Sequence, residues 1–178
     1  MINEVREILI DEKKLKETVD NLAERINADY KGRKVVLLII LKGSIIFAAD
    51  LMRRLDMELS VEFMQVSSYG SGSVSSGEIK IIKDVQTDLN GKDVIIVEDI
   101  IDSGNTLKAL VELLQKRGAR VEICTLLSKP ERREVEIDVK YMGIEIPNEF
   151  IVGYGLDYDE KFRSLPYIGI LKKEVYGG

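Results

Sequence analysis

The sequence predicts an α/β protein: a parallel β-sheet core flanked by helices. Three observations predict it. Residues 35–41, 94–97 and 121–127 are apolar runs rich in β-branched side chains, the composition of strands buried on both faces. The first two runs each lead into a glycine-containing turn and then into apolar positions at helical spacing. Strands that alternate with helices fold as right-handed β-α-β units and so make a parallel sheet.

The elements follow in order. Residues 5–10 form a short strand, and Asp11 caps a helix whose apolar face is Leu15, Val19, Leu22 and Ile26, closed by Gly32. The strand at 35–41 ends in Leu41-Lys42-Gly43-Ser44, and a helix follows with Phe47, Ala48, Leu51, Met52 and Leu55 as its core positions. Residues 59–68 alternate as a strand. The stretch at 67–77, rich in serine and glycine, is a loop before a partner strand at 78–83. Asn90-Gly91 is a turn. The helix carrying Leu107, Leu110, Val111 and Leu114 stops at Gly118, and the strand at 121–127 places Cys124 in the core. From Pro130 the pattern changes. Short strands at 139–146, 150–154 and 167–171 have no helices between them, and with the N-terminal strand they predict a small subdomain capping the core.

The chemistry concentrates in the stretch 94–107. Glu98 and Asp99 stand where the central strand should run out into solvent. Asp102-Ser103-Gly104-Asn105-Thr106 is a small polar turn opening a helix. Such a turn lets backbone N–H groups approach a phosphate, and the helix start adds unpaired donors and the positive end of its dipole. Carboxylates beside an anion site make sense if the ligand also carries a diol, or if Mg²⁺ lies between acid and phosphate. The plainer alternative is an N-cap at Asp102 or Ser103 beside a solvated acidic pair. Lys42-Gly43-Ser44 repeats the strand–turn–helix geometry, although a lysine in a turn is as readily solvated. Ligands of parallel sheets gather outside the strand C-terminal ends, where Lys42, Glu98, Asp99 and Lys129 all fall.

The run Val-Ile-Ile-Val-Glu-Asp-Ile-Ile-Asp-Ser-Gly-Asn-Thr-Leu resembles the phosphoribosyl pyrophosphate (PRPP) motif of the type I phosphoribosyltransferases. Its Glu-Asp-Ile-Ile-Asp form is similar to the hypoxanthine-guanine branch. Leu41-Lys42-Gly43 and the segment Phe150 to Asp157, with Arg163, resemble two further signatures of that branch. The resemblance implies the type I phosphoribosyltransferase fold, one domain with a core over about 33–130 and a hood from about 1–10 and 135–178. It also implies transfer of a phosphoribosyl group from PRPP to a 6-oxopurine base in purine salvage, with Mg²⁺.

Residue by residue, the resemblance assigns Lys42, Gly43 and Arg163 to pyrophosphate, and a non-proline cis peptide to the Leu41-Lys42-Gly43 segment. Ribose 5-phosphate falls to Glu98, Asp99, Asp102, Ser103, Gly104, Asn105 and Thr106, with Asp102 as general base. The purine falls to Lys129, Phe150, Ile151 and Asp157, and metal to Glu98, Asp99 and Asp157. Ser68 and Tyr69 would belong to a flexible lid at about 68–78. Three positions depart from relatives: Ser44 stands where Gly or Ala is common, and Ser103 and Asn105 where some carry Thr and Lys. A loop that works through its backbone tolerates the last two. The family also suggests a homodimer or homotetramer.

Composition sets limits on the rest. The 178 residues carry a net charge of −5, with 32% charged and 45% hydrophobic residues. That balance argues against a general nucleic-acid footprint, and so against a PRPP-responsive regulator on the same fold. A phosphorelay receiver, whose acidic first strand Ile96-Val97-Glu98-Asp99 resembles, would need more chain after Asp99 than is present. With no histidine, acid–base work falls to carboxylates, lysines or tyrosines, and a metal would be a hard cation on oxygen ligands. One cysteine cannot form an internal disulfide. No run is long enough for a transmembrane helix and no signal-peptide pattern opens the chain, so the expectation is a cytoplasmic protein without membrane partners.

Overall fold

The computed structural model describes residues 2–68 and 79–177. In chain order the elements are strand β1 (Val5–Ile10), helix α1 (Glu12–Asp29), β2 (Lys34–Ile40), α2 (Ile45–Met52), β3 (Glu58–Ser68), β4 (Ile79–Lys83), β5 (Asp93–Ile101), α3 (Asn105–Lys116), β6 (Arg120–Ser128), β7 (Tyr141–Glu145), β8 (Ile151–Val152), β9 (Ile168–Leu171) and the single turn α4 (Lys173–Tyr176). Six strands form one sheet in the order β4-β3-β2-β5-β6-β7, parallel except for β4. The order β1-β9-β8 makes a second, antiparallel sheet.

The apolar runs are strands because both of their faces find cover. Val35, Leu37 and Ile39 of β2, with Ile95 and Val97 of β5, share a core with Leu15, Val19, Leu22 and Ile26 of α1 and Phe47, Ala48 and Leu51 of α2. The alternate residues Val36, Leu38, Ile40, Val94 and Ile96 pack with Leu107, Leu110 and Leu114 of α3. Successive side chains point to opposite faces, so a one-residue slip would move each set into the wrong layer. Cys124 lies in the first core, where burial pushes its thiol up. Asp11 caps α1 as expected, its carboxylate accepting the Lys14 N–H at 2.8 Å.

Three expectations need correction. Glu98 and Asp99 do not lie beyond the strand: β5 runs on to Ile101 because β6 pairs with it as far as Ile101↔Ser128. Leu55 lies past the end of α2, although it still packs against the core. The strand expected at 139–146 does not join the hood; β7 pairs parallel to β6, with Cys124↔Tyr141 and Ser128↔Glu145 in register. A parallel neighbour usually needs a helical crossover. Here the crossing uses one 3-10 turn, Pro130–Arg132, and a chain whose Ile137 and Val139 pack on the α3 side of the sheet. The missing helical periodicity therefore pointed the wrong way. The small sheet draws only on β1, β8 and β9. The loop expected as a lid, with Tyr69, lies outside the described residues; Ser68 is the last residue of β3.

Candidate active site

The chain leaves β2 toward β3 on one side and leaves β5 toward β6 on the other, so the C-terminal ends of β2 and β5 flank a topological switch point. A cavity of about 530 Å³ opens there. It is lined by Lys42, Gly43, Glu98, Asp99, Asp102, Ser103, Gly104, Thr106, Asp157 and Arg163, residues predicted from four separate stretches, and also by Glu160.

The turn after β2 depends on close approach of its backbone to its neighbours. The Leu41–Lys42 peptide is cis. A Cβ on Gly43 would lie 1.7 Å from Asp99 Oδ2, and one on Gly155 would lie 2.1 Å from the Gly43 carbonyl oxygen. Gly155 also has φ +104°, a conformation that L side chains rarely adopt. Ser44 is buried and its hydroxyl donates to the Ile40 carbonyl, so this departure from the family pattern leaves no polar atom stranded.

Two cations meet on one carboxylate. Lys42 Nζ lies 3.0 Å from Glu160 Oε1, and Arg163 Nη2 lies 3.3 Å from the same oxygen. Arg163 also pairs with Asp157 Oδ1 at 2.9 Å and donates from Nη1 to the Gly155 carbonyl at 2.8 Å. The other Asp157 oxygen accepts the Glu160 N–H at 2.9 Å. Arg163 Nε is buried with no hydrogen-bond partner among the described residues. Sequence reasoning missed Glu160. Its signal was the i, i+3 spacing from Arg163.

The acidic side of the cavity is strained electrostatically. Burial, and then the neighbouring Asp99 charge, pushes Glu98 well above the usual carboxylate range. Burial also raises Asp99, against the pull of its hydrogen bonds and of Arg163. Two half-buried acids side by side do not both ionise readily without a compensating cation or donor. Asp102 faces a residue that sequence reasoning missed: Arg132 Nε lies 2.7 Å from its Oδ1. That approach is off the line a hydrogen bond needs, and Asp102 Oδ1 stays buried without a hydrogen-bond partner among the described residues. Arg133, also unforeseen, donates to Ser128 Oγ at 2.8 Å and to the Asp102 carbonyl at 3.3 Å.

Between these walls α3 begins. Gly104, at φ +87°, is its N-cap and has no side chain to cap with, while the Ser103 hydroxyl oxygen accepts the Asn105 N–H at 3.3 Å. The first-turn N–H groups of a helix have no intrahelical partner, and here Ser103, Gly104 and Thr106 bring that end into the cavity. Asn105 does not line it; its Nδ2 donates to Glu134 Oε2 at 2.6 Å.

A family model described as a phosphoribosyl transferase domain matches residues 6–159. The chain belongs to this family. It is 50% identical over 177 residues to a hypoxanthine-guanine phosphoribosyltransferase of Staphylococcus aureus, covering 99% of each chain. It is 51% identical over 177 residues to the bifunctional protein TilS/HprT of Listeria monocytogenes, of which it spans 27%. Its fold superposes on a hypoxanthine phosphoribosyltransferase from Staphylococcus aureus with a TM-score of 0.95, at 49% identity over 99% of this chain and 96% of that one. A hypoxanthine-guanine phosphoribosyltransferase from Bacillus anthracis gives a TM-score of 0.91, at 44% identity over 95% of this chain and 100% of that one.

Besides Asn105 and the lid residue Ser68, the predicted purine-binding residues Lys129, Phe150 and Ile151 of this phosphoribosyl transferase domain do not line the cavity. Lys129 follows β6, and its N–H donates to the Ile101 carbonyl at 2.9 Å, which ties it to the end of β5. Burial lowers its ammonium pKa, with the Asp102 charge opposing. Ile151 is buried in β8, opposite Ile170 of β9. Phe150 keeps 36% of its surface exposed. Its ring stacks on Tyr176 with centroids 4.7 Å apart, and meets Tyr158 edge to face at 5.5 Å. Among the described residues, no helix is long and apolar enough to cross a membrane.

Proposed function

We propose that this protein is a purine-salvage hypoxanthine-guanine phosphoribosyltransferase, joining hypoxanthine or guanine to PRPP and giving IMP or GMP plus pyrophosphate. The observation that carries the reading is the one cavity where a helix N-terminus, an acidic pair, the Asp102 carboxylate and the two cations Lys42 and Arg163 converge. Full-length similarity to relatives of that name supports it.

Each wall then has a task. The first turn of α3 with Ser103 and Thr106 holds the 5′-phosphate. Glu98 and Asp99 accept the ribose hydroxyls. Lys42 and Arg163 take the pyrophosphate, replacing the Glu160 carboxylate between them. Asp102 accepts the proton from N7 of the base as N9 attacks C1 of the ribose; the C1–N9 bond forms and the C1–pyrophosphate bond breaks. Lys129 donates to the 6-oxo oxygen, and an ammonium meets only donors on a 6-amino group, so adenine is rejected. Phe150 stacks on the purine, while Ile151 offers backbone groups to its edge. Catalysis is mainly positioning and electrostatics.

Mg²⁺ suits the Glu98–Asp99 pair. Two adjoining carboxylates offer the hard oxygens it prefers and would hold it there. The chemistry it would supply there is neutralisation of charge on the departing pyrophosphate. Asp157 would serve a second ion only after releasing Arg163. The small sheet would form the hood over the substrates. Exposed Ile45, Val61 and Phe63 suit a homodimer or homotetramer, in a cytoplasmic setting and without nucleic-acid partners.

A base panel with PRPP and Mg²⁺ tests the reading. Hypoxanthine and guanine should be converted and adenine should not. Conversion of adenine or uracil alone would sink it.

A further inference from the structure

The aromatic contact between Phe150 and Tyr176 is used by none of the steps above. Phe150 is a large apolar ring left 36% exposed. A lone ring at that exposure is free to change its plane, and stacking on a purine depends on that plane. Tyr176 covers one face of it, with centroids 4.7 Å apart and the rings inclined by 27°.

Tyr176 is anchored for this. The Leu171 N–H donates to the Phe150 carbonyl at 2.8 Å, the Lys172 N–H to the Glu4 carbonyl at 2.9 Å, and the Gly177 N–H to the Lys173 carbonyl at 2.7 Å. Tyr176 and Val175 pack on the small core of Val5, Val152 and Leu171. Tyr176 is not among the residues lining the cavity. Phe150 does not line it either, and the packing of Tyr176 on the core of Val5, Val152 and Leu171 puts its side of the Phe150 ring toward the small sheet.

We infer that Tyr176 is a positioning residue for the base: it backs the Phe150 ring so that the opposite face is presented to the purine. This rests on the reading of Phe150 as the purine platform. Among the described residues, the ring contact of Tyr176 is with Phe150 and its packing is on the small-sheet core, apart from the helix start and the two cations assigned to PRPP, so its removal should act on one substrate only.

The test measures KM for hypoxanthine and for PRPP in the full chain with Tyr176→Ala, Tyr176→Leu, Tyr176→Phe and Phe150→Leu. Tyr176→Leu keeps apolar burial without a flat ring and carries the test if Tyr176→Ala does not fold. The expected result is a hypoxanthine KM raised about three- to tenfold in the Ala and Leu variants. The PRPP KM stays unmoved, and Tyr176→Phe restores the normal value. An unmoved hypoxanthine KM overturns the inference, as does a parallel rise for both substrates, which marks a merely structural role. A lowered hypoxanthine KM also overturns it, because Tyr176 would then be covering the face the base needs. If Phe150→Leu leaves hypoxanthine binding intact, the platform reading fails with it. If Phe150→Leu weakens binding and the Tyr176 variants do not, only the inference about Tyr176 fails.

Discussion

The carboxylate of Asp99 stands where a side chain at position 43 would begin, with Oδ2 lying 1.7 Å from a Cβ built on Gly43. The turn after β2 and the acidic pair of β5 are thus fitted to each other through the absence of one carbon atom. Gly43→Ala must push the turn away from Asp99, displacing Lys42 beside it. Misplacement on this scale costs roughly 100-fold in rate. We predict a fall in kcat/KM for PRPP of that order, with the far-UV spectrum unchanged. Near-normal kinetics would contradict the fit.

Glu160 occupies the ground between Lys42 and Arg163 that the account gives to pyrophosphate. Glu160→Gln should free both cations without removing either. Exposed pairs of this kind contribute about 0.2–1 kcal/mol, so the KM for PRPP should fall, and product inhibition by pyrophosphate tighten, by no more than about fivefold. A raised KM would show instead that Glu160 aligns the cations.

Asp93 lies at the opposite end of the sheet. Its buried carboxylate pairs with Arg120 at 2.7 Å and Arg33 at 2.5 Å. The hydrogen bond from Arg120 is the main reason its carboxyl sits below the usual range. The folded chain therefore binds this proton less readily than the unfolded one. The stabilisation is complete above the ordinary aspartate value of about 4 and is lost as pH falls through the lower folded value. Asp93→Asn should cost about 1–3 kcal/mol at neutral pH, and the gap from the unaltered protein should narrow in acid. Urea unfolding at several pH values checks this. A gap that widens in acid would refute it.

How much of this was legible in the chain depended on distance along it. The stretch 94–107 could be read because strand, acids, turn and helix are consecutive, and each has its own local pattern. Lys42 and Arg163 required the fold to bring them together, yet each sat in a recognisable segment. Arg132 and Tyr176 had no such help. Arg132 contacts Asp102 across β6, and Tyr176 finds Phe150 through the return of β9, so neither contact leaves a periodic trace. β7 was misplaced because the rule that parallel strands need a helical crossover was broken here by an extended chain.

The most direct measurement is the rate of IMP formation by Asp102→Asn at saturating PRPP, Mg²⁺ and hypoxanthine. Asn keeps the size of the side chain but cannot accept the proton. General-base catalysis contributes typically 10²- to 10⁴-fold. The account predicts a kcat lowered by about that factor, with the KM for PRPP little changed. A kcat within about threefold of the unaltered protein would contradict it, because that base effect would be missing.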